Sequence, residues 1–135
     1  VTNRGDFAYI DTSALLKLLG TEPESDSMAK AIDAAWPHLL ASEIIAVEAF
    51  RAALRAGGEA PAEVAGLLRR VVLRPFSPEI RDSASRIAPL RLRTLDAIHL
   101  ATALSLRERV GAIFTYDKRL AEASGDAGLR VLAPA

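Results

Sequence analysis

Short runs of β-branched and apolar residues alternate along this chain with longer segments of helical pattern. That alternation points to a parallel sheet with helices on its faces. Phe7-Ala8-Tyr9-Ile10 reads as a first strand ending at Asp11, and Thr12 or Ser13 is a candidate cap for a helix running through Leu19 to a stop at Gly20. A second helix is expected from about Glu24 to Ala35, broken at Trp36-Pro37. His38 to Ala41 reads as a short buried strand, and Ser42 opens an Ala-rich helix that Gly57-Gly58 ends. Pro61 starts the next helix, which leads into the strand Val71-Val72-Leu73. Ser77-Pro78 marks a helix start, with Ser as cap and Pro in the first turn, and Pro89 closes that helix. Thr94 is expected to cap the longest amphipathic helix, reaching about Arg109. Ala112 to Thr115 is a strand ending near Asp117; a short helix, turns at Gly125 and Gly128, and a last strand Leu129 to Leu132 follow.

At 135 residues, half of them apolar, the chain is long enough for one sizeable core, and 1–135 reads as a single domain without repeat, linker or low-complexity tract. A stretch of about 18 apolar residues is missing, because Lys17 interrupts the first leucine-rich run and Glu43 and Glu48 the middle one. No membrane span is expected, and the polar start Thr2-Asn3-Arg4-Gly5-Asp6 does not read as a signal peptide. The absence of cysteine excludes disulfide scaffolds, thiolate zinc sites and Cys nucleophiles, and fits a cytoplasmic location. Lys plus Arg equals Asp plus Glu, 17 each, so any nucleic-acid role must rest on a local site rather than on bulk charge.

In open α/β sheets, ligands collect at the carboxyl ends of the strands, near the point where the winding reverses. Asp11 and Asp117 stand at two such ends, while Asp96 falls in the first turn of one helix and Glu48 one to two turns into another. Each has a plainer reading: Asp11 as a helix cap, Asp96 as a complement to a helix dipole, Glu48 as a helix former. Taken together, four carboxylates facing one crevice repel one another unless a cation sits among them. Oxygen ligands completed by water suit Mg²⁺ or Mn²⁺, and with only His38 and His99 available a nitrogen-rich zinc site is disfavoured. His99, three residues after Asp96, is placed either to bond it or simply to pack.

Three segments resemble the signature regions of PIN-domain ribonucleases, and among these the VapC-like toxins of bacterial toxin–antitoxin pairs. They are Tyr9-Ile10-Asp11-Thr12-Ser13-Ala14-Leu15, Leu95-Asp96-Ala97-Ile98-His99-Leu100-Ala101-Thr102-Ala103 and Phe114-Thr115-Tyr116-Asp117-Lys118-Arg119-Leu120. The stretch from Ser42 to Arg51, with Glu48 six residues after the Ser, matches a weaker fourth region, and the four in order span about Ala8 to Val131. The resemblance implies a three-layer α/β/α fold with a central parallel sheet, and an acidic quartet of Asp11, Glu48, Asp96 and Asp117 holding Mg²⁺ or Mn²⁺. Glu43 and Glu48 are five apart, so only one should face the cleft.

On this reading the reaction is hydrolysis of an RNA phosphodiester, with Asp11 and Asp96 binding metal directly, and Asp117 and Glu48 acting through water or orienting the nucleophile. Thr12, Ser13 and Thr115 are hydroxyl neighbours for the carboxylates or a phosphate, each equally suited to plain capping. Because a carboxylate cluster repels RNA, positive charge is expected nearby, from Arg91, Arg93, Lys118 and Arg119. Leu15, Leu16, Leu18 and Leu19 surround their short helix, as core packing or as a face covered by a partner. The resemblance implies both a cognate antitoxin and a homodimer.

Two other classes compete. A phosphoacceptor receiver domain needs an adjacent acidic pair after the first strand and a Lys after the last, whereas Asp11 is followed by Thr12 and Ser13. A haloacid-type phosphatase wants Asp where Ser13 stands. A PIN fold retained only for binding RNA or protein is the remaining alternative, and an intact quartet argues against it.

Overall fold

The computed structural model describes residues 5–20 and 22–135; the polar start at Thr2-Asn3-Arg4 lies outside them. Strands β1 (Phe7–Ile10), β2 (His38–Ser42), β3 (Val71–Arg74), β4 (Val110–Phe114) and β5 (Val131–Leu132) form one sheet in the order β3-β2-β1-β4-β5. Every pairing is parallel. The chain winds outward from β1 to β3, then returns to place β4 on β1's other side. The reversal point therefore lies between β1 and β4.

With helices on both faces of the sheet, its strands are largely apolar rather than alternating with polar residues, and His38, Ser42 and Arg74 stand at strand ends. Ala8, Ile10, Leu39, Ala41, Ala112 and Phe114 face one core, which α1 (Thr12–Lys17), α2 (Ser25–Ala35), α3 (Ile44–Ala56) and α4 (Ala60–Leu68) close. Tyr9, Leu40 and Ile113 face the other, closed chiefly by α6 (Thr94–Ser105) and α7 (Lys118–Asp126), with Ala84 of α5 (Pro78–Arg86) packed against it. The result is the expected three-layer α/β/α arrangement. The helix α1 stops at Lys17, short of the expected Leu19; Leu15 is buried, and Leu16, Leu18 and Leu19 pack on the first core, so core packing accounts for this apolar run.

Several element ends differ from the sequence expectation. The cap of α1 is Asp11, in line with the plainer reading of that residue, rather than Thr12 or Ser13. Ser42 ends β2 while its Oγ accepts from the Ile44 amide, so α3 begins two residues later. Thr94 opens α6 without capping it, since Arg93 holds the cap position with no side-chain bond. That helix stops at Ser105, short of Arg109, and α3, with 13 residues, is longer. Gly125 lies inside α7 rather than in a turn, and β5 takes up only Val131 and Leu132 of the expected strand. Between β1 and β4 the register steps from Phe7↔Val110 to Ala8↔Ala112, which leaves Gly111 as an extra residue on β4. A Cβ there would run into the Gly5 carbonyl and the Trp36 ring.

Candidate active site

Asp11 leaves the carboxyl end of β1 and turns straight into α1. Its Oδ1 accepts the Ala14 amide at 2.9 Å and the Ser13 hydroxyl at 2.7 Å, and its Oδ2 accepts the Thr115 hydroxyl at 2.6 Å. Thr115 follows β4 on the neighbouring strand. Its Oγ1 also accepts the Asp117 amide at 3.0 Å, and Ser13 Oγ accepts the Tyr116 amide at 2.9 Å. Both hydroxyls thus pass one hydrogen bond to Asp11 and take one from the loop that carries Asp117. Asp117 in turn caps α7, its Oδ1 accepting the Leu120 amide at 2.9 Å.

Glu48 reaches in from α3. Its Oε1 accepts the Thr12 hydroxyl at 2.7 Å and lies 2.9 Å from His99 Nε2. Glu43, the competing glutamate, is exposed and accepts the Phe76 amide elsewhere, which settles which of the two faces the cleft. Asp96 sits in the first turn of α6, and its Oδ2 is buried without a hydrogen-bond partner. His99 is buried and bonded to Glu48 and Tyr9, so neither a bond to Asp96 nor plain packing describes it.

These side chains line one cleft of about 420 Å³, bounded by Asp11, Glu48, Arg93, Asp96, His99 and Asp117, with Thr12 and Ser13 at its edge. It opens at the carboxyl ends of β1 and β4, beside the winding reversal, where open α/β sheets bind their ligands. Of the four basic residues expected nearby, Arg93 lines the cleft, and among the described residues it forms no ion pair with the acids. Arg91 and Arg119 border a separate hollow with Glu122, also about 420 Å³. Lys118 is exposed at the start of α7.

The electrostatics divide the acids. Burial pushes the Asp11 carboxyl above its ordinary range, although its three hydrogen bonds pull the other way. Asp96 is raised by burial first and then by the charges of Asp117 and Asp11, against relief from Arg93. Burial opposes the charge on Glu48 as well, but the hydrogen bonds from His99 and Thr12 outweigh it and leave the carboxyl below its usual value. Two acids are thus held at a cost while a third is held comfortably ionised.

A family model described as PIN domain matches residues 8–126. The chain belongs to the PIN-domain family. This PIN domain is 37% identical over 126 residues to Ribonuclease VapC46 of Mycobacterium tuberculosis, across 93% of this chain and 96% of that protein. Ribonuclease VapC35 of the same species matches at 37% over 129 residues, with the same coverage. The resemblance to VapC-like toxins read from the motifs is borne out by these relatives. Among solved structures, M. tuberculosis VapC20, described as a sarcin-ricin loop cleaving toxin, superposes with a TM-score of 0.71 at 17% identity, over 94% of this chain and 99% of that one. A toxin–antitoxin complex from Klebsiella pneumoniae gives 0.72 at 22% identity, over 95% and 98%. At those identities the superpositions speak for the fold, and the fold is that of a PIN domain.

The sequence motifs placed every acid of the cleft but missed Tyr9. Its hydroxyl, buried in the second core, accepts the Ser42 amide at 3.1 Å and meets His99 Nδ1 at 2.7 Å. A tyrosine inside a strand pattern reads as core, and nothing in its spacing signals that its hydroxyl ends on a cleft residue.

Proposed function

We propose that this PIN domain, spanning residues 1–135 as one unit, is a divalent-metal-dependent endoribonuclease and the toxin of a toxin–antitoxin pair, acting in the cytoplasm. The observation that carries this reading is the meeting of Asp11, Glu48, Asp96 and Asp117 on one cleft, with a buried Asp96 oxygen that no protein group satisfies. A buried carboxylate oxygen without a donor is costly. Here it also has Asp117 and Asp11 as like-charged neighbours, and a cation answers both penalties.

The donor set fits Mg²⁺ or Mn²⁺. Among the described residues no three Asp, Glu or His side chains are gathered into a ready-made metal cage. Mg²⁺ does not require one: it keeps several waters and is commonly bound through one or two carboxylates together with substrate phosphates. Asp11 and Asp96 are assigned as direct ligands, with Asp117 and Glu48 reaching the ion through water. When bound, such a cation eases deprotonation of water and offsets charge building on the phosphate oxygens. Ser13, Thr115 and the Ala14 amide keep Asp11 ionised and oriented. Glu48, with its low pKa, is a weak base, so its role is to orient a water molecule rather than to remove its proton. Arg93 supplies the positive charge that admits an RNA phosphate, and Arg91, Lys118 and Arg119 extend it along the flank.

The same reading includes a cognate antitoxin and a homodimer. Val47, Phe50 and Leu54 support it: at 62%, 41% and 60% exposure they form a stripe along one face of α3, an apolar surface suited to a protein partner.

The deciding experiment is cleavage of a mixed RNA substrate by the purified chain with Mg²⁺ or Mn²⁺, with chelator, and with Asp96→Asn. We expect cleavage that needs the cation and is abolished by the substitution while the circular-dichroism spectrum is unchanged. Cleavage that survives chelator, or persists in Asp96→Asn, overturns the assignment. Mapping new RNA 5′ ends after expression in cells would then identify the target.

A further inference from the structure

The buried pair Tyr9 and His99 has no part in the chemistry described so far, yet it ends on a cleft acid. His99 is 2% exposed and stands one turn after Asp96 on α6; Tyr9 is fully buried on β1, two residues before Asp11. Tyr9 Oη accepts the Ser42 amide and lies 2.7 Å from His99 Nδ1, close enough to give its own proton to that nitrogen. With the phenol as donor, Nδ1 carries no hydrogen and the imidazole proton is on Nε2, directed at Glu48 Oε1 2.9 Å away.

Both donors to Glu48, the Thr12 hydroxyl and His99 Nε2–H, fall on the same oxygen, Oε1. One side of the carboxylate is therefore tied to the protein and the other, Oε2, is left for the cleft. The tie also crosses the molecule. Glu48 is on α3, which packs on one face of the sheet, while His99 is on α6, which packs on the opposite face. Thr12 follows Asp11 directly, so Glu48 is referenced at once to the strand end bearing Asp11 and to the helix bearing Asp96.

We propose that His99, held in its Nε2–H tautomer by Tyr9, is a positioning residue that aims the free oxygen of Glu48 at the divalent-cation site. This rests on the nuclease reading above, and it adds to that reading a hydrogen-bonded outer shell of the kind that sets ligand orientation in metal sites. A glutamate in a helix has three rotatable side-chain bonds, and without the tie Oε1 and Oε2 interchange by rotation about the last of them.

The test is Mn²⁺ binding by calorimetry on the full chain without RNA, alongside cleavage kinetics, for the wild type, His99→Ala, His99→Gln and Tyr9→Phe. His99→Ala is expected to weaken Mn²⁺ binding by about 10-fold or more and to lower kcat with little change in KM. His99→Gln keeps an N–H donor near the Nε2 position and should recover most of the affinity. Tyr9→Phe releases the tautomer, so imidazole ¹⁵N shifts should move from the Nε2–H form in the wild type toward a mixture. Unchanged Mn²⁺ affinity in His99→Ala, a Gln variant no better than Ala, or an Nδ1–H tautomer in the wild type would each overturn the positioning role. A wild type that binds no cation and cuts no RNA instead overturns the nuclease reading, so the two failures are distinct. Melting curves for each variant separate weakened binding from a lost fold.

Discussion

Asp11 caps α1 and, at 4% exposure, is also the most buried of the cleft acids. Its cap bond, the Ala14 amide to Oδ1, needs an oxygen but not a charge, and Asn is as good a cap as Asp. Asp11→Asn is therefore expected to leave metal-free stability within about 1 kcal/mol of the wild type, because removing a buried charge offsets the weaker partner offered to Thr115. Asp11→Ala strips the acceptor from Ala14, Ser13 and Thr115 together and should cost about 1–2 kcal/mol by chemical denaturation. Both should be inactive, so stability and cleavage part company at this residue.

The same buried charges give a pH signature. Asp11 and Asp96 have folded pKa values above their unfolded ones, so the folded state binds protons more tightly across that interval. Stability of the metal-free protein should rise as pH falls from neutral through the raised values. Glu48 acts with the opposite sign, its contribution being present above its unfolded pKa and lost as pH drops through its lowered folded value. The expected melting-temperature profile rises on mild acidification and then turns down, and in Asp96→Asn the rise is smaller. A profile that falls monotonically from neutral pH would show that the acids are not under strain.

Strands β1 and β4 meet at their amino ends through Gly5 and Gly111, where backbone replaces side chain. Gly111→Ala would push a methyl into the Gly5 carbonyl and the Trp36 ring, and should destabilise the fold by about 1–3 kcal/mol as an overpacked site does. Thermal denaturation checks this directly. Strand positions were legible in the sequence because a sheet covered on both faces demands continuous apolar runs, and Phe7–Ile10 is such a run; Val71–Leu73 keeps the pattern although Val72, on the edge strand, is exposed. Helix ends were less so. Whether Thr12, Ser13 or Asp11 caps α1 depends on which side chain the neighbouring Thr115 and Tyr116 engage, 100 or so residues away. Likewise α6 stops at Ser105, although Leu106 and Arg107 continue an acceptable helical pattern, because the chain there must turn into β4. The acids were legible from motif order, whereas the Tyr9–His99–Glu48 chain depends on contacts between elements that no local pattern records.

Across the chain as a whole, positive and negative side chains balance, 17 against 17, so any affinity for RNA has to come from where the arginines stand. Arg93 lines the acid cleft, and Arg91 and Arg119 border the hollow beside Glu122. If the RNA backbone follows both, replacing Arg91 and Arg119 by Ala in the Asp96→Asn background should weaken single-stranded RNA binding. The slope of log affinity against log salt should also become shallower, by about 0.7 for each phosphate no longer neutralised. Fluorescence anisotropy across a salt series measures this, and an unchanged slope would remove the hollow from the RNA path. No described helix is long and apolar enough to cross a membrane.

The pairing of β1 with β4 joins residues about a hundred positions apart, Ala8 beside Ala112 and Ile10 beside Phe114. Such long-range closure costs chain entropy before any packing offsets it, and pairings of this kind form slowly. Asp11 emerges early in synthesis, but it gains Thr115 and its neighbour Asp117 only when the fourth strand arrives. On the nuclease reading, an unfinished polypeptide on the ribosome therefore holds Asp11, Glu48 and Asp96 before Thr115 and Asp117 arrive to close the cleft.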